Sequence, residues 1–274
     1  MSGDVDYLKE FESSSSKIRI YKKDKKKIFK EYKEKDIIDK EYKKQIEISD
    51  ALSSFKKIKS PRPKKFKEGL EYTYFEGIVF EKFYIKNLKF FSPSKKILNA
   101  LDLLAQGLCK IHSVPINKDE FKNKSNIKVK RKNISLVHGD LNSENIICKK
   151  KGDEICIIDS PKLRLHSFYH DLGKFIHFLN FKIPLKFFSL KAYFYGNYYK
   201  NYFLKSYSYH SGNKLDLKRL NKFKLHFARS QKSLLKKNYS HHIKLQRLLL
   251  KLFRPFLLFL VEIRIKKLER REKK

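Results

Sequence analysis

The segment LVHGDLNSENIICKKKGDEICIIDS, residues 136–160, places two aspartates at the ends of short apolar runs, with His-Gly before the first and an asparagine five positions after it. Asp140 and Asn145 stand in a D-x4-N spacing, and Asp159 closes the β-prone run EICIID, which can return beside them as a hairpin. In that arrangement Asn145 and Asp159 present two hard oxygen ligands to one cation. The set suits Mg²⁺ bridging the oxygens of a triphosphate rather than a cage made by protein alone. Asp140 remains to accept the proton of an attacking hydroxyl. One base and two metal holders are what phosphoryl transfer needs, because the protein mainly positions reactants and neutralises charge.

Elements must exist to carry these groups. ISLVHGD, NIICK and EICIIDS read as short strands around the motif. Upstream, KIRIYKK and KKIFKEY alternate apolar and polar positions at period two, with KKDKK as the turn of a hairpin. Residues 39–55 approach helical spacing, with Asp39 as the cap and SPRP as the stop. GLEYTYFEGIVFEKFY reads as β-prone, broken at Gly77. Ile97, Leu101, Leu104, Leu108 and Ile111 then mark one buried stripe of a long helix. A charged stretch over residues 117–133 reads as a loop or insertion, and the last hundred residues as amphipathic helices. The aromatic stripe YFYGNYYKNYFLKSY is expected in the core. His112, His166, His170 and His177 have no base-and-nucleophile companions, so they read as surface or helix-packing residues.

Composition bounds the rest. The 274 residues are 41% hydrophobic and 14% aromatic, enough for one large domain or two lobes around a core. A formal net charge of +36 attracts phosphates at long range. The basic residues are mostly Lys, accompanied by much Ile, Asn, Phe and Tyr, which is equally the composition of an A/T-rich genome. Three cysteines, Cys109, Cys148 and Cys156, offer neither a disulfide framework nor a zinc spacing, so a reducing cytoplasmic setting is expected. The N-terminus lacks the apolar core of a signal peptide, and LLLKLFRPFLLFLV is too interrupted to span a membrane. That C-terminal run reads either as helices packed on the larger lobe, with the tail beyond Lys266 solvated, or as an interfacial anchor whose basic end meets anionic headgroups.

The D-x4-N spacing followed by an aspartate is also the catalytic-loop signature of kinases, with Gly139 where protein kinases carry Arg. HGDLNSEN with IID downstream resembles the aminoglycoside phosphotransferase and choline kinase branch of the protein-kinase-like superfamily. LAQGLCKIHSVP, HDLGKF and SPRPKKFKEGLEYTYFEG are similar to further segments of that branch, and the resemblance extends over about residues 13–207. It implies an α+β bilobal kinase-like fold, with a small antiparallel-sheet lobe over residues 1–76 and a mainly helical lobe over 77–274. ATP and Mg²⁺ are the implied cofactors. Asp140 would orient the acceptor hydroxyl, Asn145 and Asp159 would hold Mg²⁺, His138 would brace the loop, and Asp171 would pin it. Lys30 is placed like the strand lysine that pairs with the α and β phosphates. Glu47 is its expected ionic partner, with Glu41 as the competitor.

The chain departs from the family at the glycine-rich loop, where Ser13 to Ser16 stand instead. Ser14, Ser15 and Ser16 would contact phosphates with hydroxyls and amides, approaching less closely than glycine. Only a dozen positions separate Asp159 from Asp171, too few for the activation loop on which protein kinases seat a peptide. A small-molecule, sugar or glycolipid acceptor follows, and the basic field favours an anionic one, as in the lipopolysaccharide core kinases that the loop also resembles. A catalytically weak pseudokinase or scaffold of the same fold, an atypical protein kinase and, third, a basic nucleic-acid-binding protein are the alternatives, though no specific nucleic-acid motif is present.

Overall fold

A computed structural model of the protein describes residues 7–12, 16–21, 27–32, 34–89, 91–116, 133–159, 164–187 and 189–236, with scattered helical positions between 259 and 270. Strands β1 (Tyr7–Glu12), β2 (Ser16–Tyr21) and β3 (Lys27–Tyr32) pair antiparallel. The period-two hairpin forms in the register Ser16 opposite Tyr32 and Tyr21 opposite Lys27. Its turn, residues 22–26, lies outside the described residues. The acidic N-terminal segment forms edge strand β1 because its backbone groups find partners in β2.

Helix α1 spans Lys35–Leu52 rather than residues 39–55. Its first turn carries Ile38, which is buried against Tyr32 and Leu70, so burial extends the helix past the expected cap at Asp39. SPRP is not the stop. It lies beyond the helix end and clamps α1 from the side, through Gln45 Nε2 to Ser60 Oγ at 2.7 Å and Ser49 Oγ to the Ser60 carbonyl at 3.2 Å. After β4 (Ile58–Lys59), β5 (Lys64–Lys65) and β6 (Gly69–Thr73) complete a sheet of order β1-β2-β3-β6-β5. Gly69 lies so close to β3 that a β-carbon there would overlap the Lys30 carbonyl oxygen.

The β-prone reading of GLEYTYFEGIVFEKFY holds only for its first half. Beyond β7 (Ile78–Val79) the chain turns into α2 (Phe80–Asn87), because Phe80, Phe83 and Tyr84 share one face and all are fully buried. Helix α3 (Lys95–His112) buries the five predicted apolar positions. Strand β8 (Ile134–Val137) leads into the HGD motif, and β9 (Ile146–Cys148) with β10 (Ile155–Ile157) makes the expected hairpin. A second sheet of order β4-β10-β9-β7 holds that hairpin, and β11 (Arg164–Ser167) pairs with β8. Residues 117–132, expected as a loop, lie outside the described residues.

A helical rod follows: α4 (Tyr169–His177), a π-helical turn (Phe178–Lys182) and α5 (Ile183–Lys186). Helices α6 (Leu190–Ser211) and α7 (Leu217–Lys236) pack around it. The aromatic stripe on α6 is divided: Tyr199, Phe203 and Tyr207 enter the core, whereas Tyr193, Phe194 and Tyr198 are exposed. Beyond Lys266 the tail is not solvated throughout, since Leu268 is buried and Glu269 bonds Arg229 of α7 at 2.7 Å. Among the described residues no helix is long and apolar enough to cross a membrane.

The main core gathers α2, α3, α4 and α6 beneath the HGD loop. Phe175 is fully buried between Phe80 and Phe203, with ring centroids 5.4 and 4.8 Å away. Phe175→Ala is expected to cost about 3–5 kcal/mol, read as a lower urea midpoint at unchanged slope. His166 is buried beside His170, with ring centroids 4.9 Å apart. Burial, aided by the charges of His170 and Arg164, pulls its pKa down to about 4. Since the unfolded chain takes up the proton near pH 6.5, the stabilisation is complete above that value and is lost as pH falls toward 4. Urea midpoints measured across this window should decline, with a shallower slope in His166→Gln.

Candidate active site

Three loops and one rod converge at the end of β8. His138, Gly139 and Asp140 follow that strand directly, and Gly139 has φ 76°, the left-handed region that a residue with a side chain enters only at a cost. This turn points two successive amides at α4. The His138 N–H donates to Asp171 Oδ2 at 2.8 Å and the Gly139 N–H to Oδ1 at 3.0 Å. Asp171 is fully buried. Burial alone would raise its pKa, but hydrogen bonds and charges from His112 and His170 hold it well below the usual carboxylate range. His112 Nε2 lies 3.2 Å and His170 Nδ1 3.5 Å from the carboxylate. Both histidines, read as surface or packing residues, thus belong to the network beneath the loop.

His138 braces the loop internally. Its Nε2 lies 3.0 Å from the Ile158 carbonyl and its Nδ1 3.3 Å from the Asp140 N–H. A carbonyl only accepts and an amide only donates, so the neutral ring protonated at Nε2 fits both. Burial holds its pKa below the ordinary histidine value, which favours that neutral form. The Ile158 N–H in turn donates to the Asn145 carbonyl at 3.0 Å, stitching the end of β10 to the start of β9. The Asn145 amide Nδ2 donates to the Asp140 carbonyl at 3.0 Å, leaving Oδ1 as the atom that can face a cation.

Asp159 has φ 58°, an unusual conformation for a residue with a β-carbon, and its carboxylate accepts from Lys30 Nζ at 3.0 Å. The ion pair expected between Lys30 and Glu47 does not form. Lys30 Nζ pairs with Glu41 Oε2 at 3.2 Å, and Tyr32 Oη donates to the same oxygen at 2.5 Å. Six residues on, Glu47 is rotated roughly 240° around α1 and its side chain is exposed. Burial lowers the Lys30 pKa, but Asp159 first and Glu41 next raise it above the ordinary value, so it remains a cation. Ser14 and Ser15 lie outside the described residues, and Ser16 begins β2 opposite Tyr32.

Sequence reasoning missed Lys174, whose ammonium hydrogen-bonds Asp140 Oδ1. The signal was there: Lys174 lies three residues after Asp171 on α4, so a helix that puts Asp171 under the loop carries Lys174 along the same face. Lys186 was missed too. It reaches Glu81 of α2 at 2.6 Å and Glu144 of the loop at 2.7 Å. A cavity of about 790 Å³ at the end of α3, lined by Phe55, Lys110, His112 and Tyr207, contains none of Asp140, Asn145 or Asp159. The candidate chemistry therefore lies outside that cavity.

Among the described residues no group of three or more His, Cys, Asp and Glu side chains is arranged to hold a metal ion. The available set is one amide oxygen, Asn145 Oδ1, and the Asp159 carboxylate. Such a sparse oxygen set fits Mg²⁺, which keeps waters and substrate phosphates in its shell.

No protein-family model matches the chain, and no curated protein matches it. Solved structures do match in fold. An ethanolamine kinase from Plasmodium vivax aligns with TM-score 0.55 and 14% identity over 92% of this chain and 81% of its own. An aminoglycoside phosphotransferase from Streptomyces rimosus aligns with TM-score 0.51 and 15% identity over 82% and 92%. Another aminoglycoside phosphotransferase, in a ternary complex with streptomycin and ATP, aligns with TM-score 0.54 and 16% identity over 84% and 86%. The chain has the α+β bilobal kinase-like fold of these small-molecule phosphotransferases.

Replacing Asp171 by Asn should leave one of the two loop amides facing an N–H₂ group instead of an acceptor. An orphaned buried group costs about 1–3 kcal/mol. The expected outcome is that loss in urea unfolding, together with faster hydrogen exchange at the His138 and Gly139 amides.

Proposed function

We propose that the protein is an ATP- and Mg²⁺-dependent phosphotransferase that moves the γ-phosphoryl group of ATP to a hydroxyl of a small molecule or sugar. The observation that carries this reading is the Lys30 ammonium, held between Glu41 and Asp159 across 129 residues of sequence. It joins the first sheet to Asp159 at the end of β10, and the Ile158 N–H ties that end to Asn145 of the catalytic loop, so a nucleotide held by the sheet meets the candidate base Asp140.

In the reaction, Asp140 accepts the proton of the acceptor hydroxyl while that oxygen bonds to the γ-phosphorus. The bond from the phosphorus to the β,γ-bridging oxygen breaks, and ADP leaves with the electron pair. Lys30 neutralises the α and β phosphates, Asn145 and Asp159 hold Mg²⁺, and His138 with Asp171 keeps the loop in register. Mg²⁺, when bound, offsets the negative charge that develops on the phosphate oxygens. Residues up to about Glu76 bind the nucleotide in this scheme, and the rest bears the loop and the acceptor. A supply of ATP places the reaction in the cytoplasm.

The test is ADP formation by purified protein with Mg²⁺ and ATP over a panel of sugars, amino alcohols, sugar phosphates and glycolipids. Turnover should depend on one acceptor class, fall by about 10²–10⁴ in Asp140→Ala and vanish in Asp159→Ala. No acceptor-dependent turnover, with no thermal shift by Mg²⁺ and ATP, would instead leave an inactive scaffold of this fold.

A further inference from the structure

The rod of α4, the π-helical turn and α5 runs along the HGD loop, and lysines recur on it at positions 174, 182 and 186. Lys174 touches Asp140 at one end of the loop and Lys186 touches Glu144 at the other. Lys182 lies between them in sequence, at the last position of the π-helical turn. In an unbroken α-helix, eight residues would rotate Lys182 roughly 80° past Lys174. The wider π turn rotates less per residue, which reduces that offset, and Asp140 and Glu144 of the loop both act on the Lys182 charge. Such turns interrupt α-helices mostly at functional sites.

The surroundings of Lys182 are unusual for a lysine. Its ammonium lies 4.2 Å from the centroid of the Phe178 ring and, among the described residues, makes neither an ion pair nor a hydrogen bond. Glu144, Lys174, Lys186 and Asp140 all act on its charge. The nearby carboxylates already have other cations: Asp140 has Lys174, and Glu144 and Glu81 have Lys186. Burial, opposed by Glu144 and reinforced by the two lysines, pulls the Lys182 pKa below the ordinary value. Glu144 and Asp140 favour the charge but are paired with other lysines, so a half-buried ammonium without an ion pair of its own is left, and that is costly unless something anionic meets it.

We propose that Lys182, flanked by Lys174 and Lys186, is an anion-binding subsite beside Asp140, so that the acceptor carries a phosphate or carboxylate near the hydroxyl to be phosphorylated. This rests on the phosphotransferase reading for the identity of the neighbouring chemistry, and it names the acceptor class. A cationic acceptor such as an amino sugar would meet like charge here. An anionic one gains a charge-assisted contact at each ammonium it reaches.

The experiment compares the parent protein with Lys182→Met and Lys182→Arg, using glucose 6-phosphate and glucose, each also as the headgroup of a glycolipid in neutral vesicles. The expected result is a KM for the phosphorylated acceptor raised tenfold or more in Lys182→Met and largely restored in Lys182→Arg. The KM for ATP and the turnover with the uncharged acceptor should not change. Soluble turnover alone would identify a free sugar phosphate as the source of the anion, and vesicle turnover alone a lipid-borne one. Equal losses for charged and uncharged acceptors, or a raised KM for ATP, would overturn the proposal. A second arm, needing no catalysis, follows the binding of inorganic phosphate by ³¹P line broadening with ADP and Mg²⁺ present. Unchanged binding in Lys182→Met would sink the subsite even if the kinase reading stood. Lost binding would support it even if no acceptor turned over.

Discussion

The buried carboxylate of Asp171 is the joint on which the candidate site hangs. A charge removed from water is tolerated only when hydrogen bonds and counter-charges surround it, and here they come from three separate parts of the chain. Two amides arrive from the turn after β8, one imidazole from the end of α3 and another from α4 itself. Each contact satisfies the carboxylate and, in return, fixes the element that supplies it. The left-handed turn at Gly139 is what lets two consecutive N–H groups point the same way. His112 is anchored further by Tyr207 of α6, whose hydroxyl lies 2.8 Å from Nδ1, so the network reaches into the helical core.

A second electrostatic joint holds the first sheet to this assembly. Lys30 is presented by β3, whose close approach to β6 depends on Gly69, and its ammonium spans Glu41 and Asp159. The unusual backbone of Asp159 is maintained by what surrounds it, since Ile158 is tied on one side to Asn145 and on the other to His138. The two joints meet at the β9–β10 hairpin. Displacing either one moves Asp140, Asn145 and Asp159 relative to each other.

The large positive charge of the chain takes on a different meaning in this light. With 65 Lys and Arg residues, the total says little about any one of them. Position separates them: Lys30, Lys174 and Lys186 are each held by named carboxylates at the site, whereas Lys182 has an aromatic ring. Many of the other lysines among the described residues are exposed on helices and loops alike, where single charges add little to stability.

Much of the site could be read from local sequence. The motif spacing in HGDLNSEN, the apolar run ending at Asp159 and the stripe on α3 are local patterns, and local backbone preference was enough to form the loop, the hairpin and the helix that carry them. Other features depended on distant contacts. Whether Glu41 or Glu47 faces Lys30 is decided by how α1 rotates against the sheet, and that rotation follows from burying Ile38, Ile48 and Leu52. FEKFY became helix rather than strand because a core waited for its aromatic face, and His112 gained its role only when the fold brought the end of α3 to Asp171 near the start of α4. Sequence by itself determined which groups could do chemistry, because residue type and spacing along one short loop settle that. Tertiary structure alone decided which charges face one another, because ion pairing across a hundred residues depends on packing that no local pattern encodes.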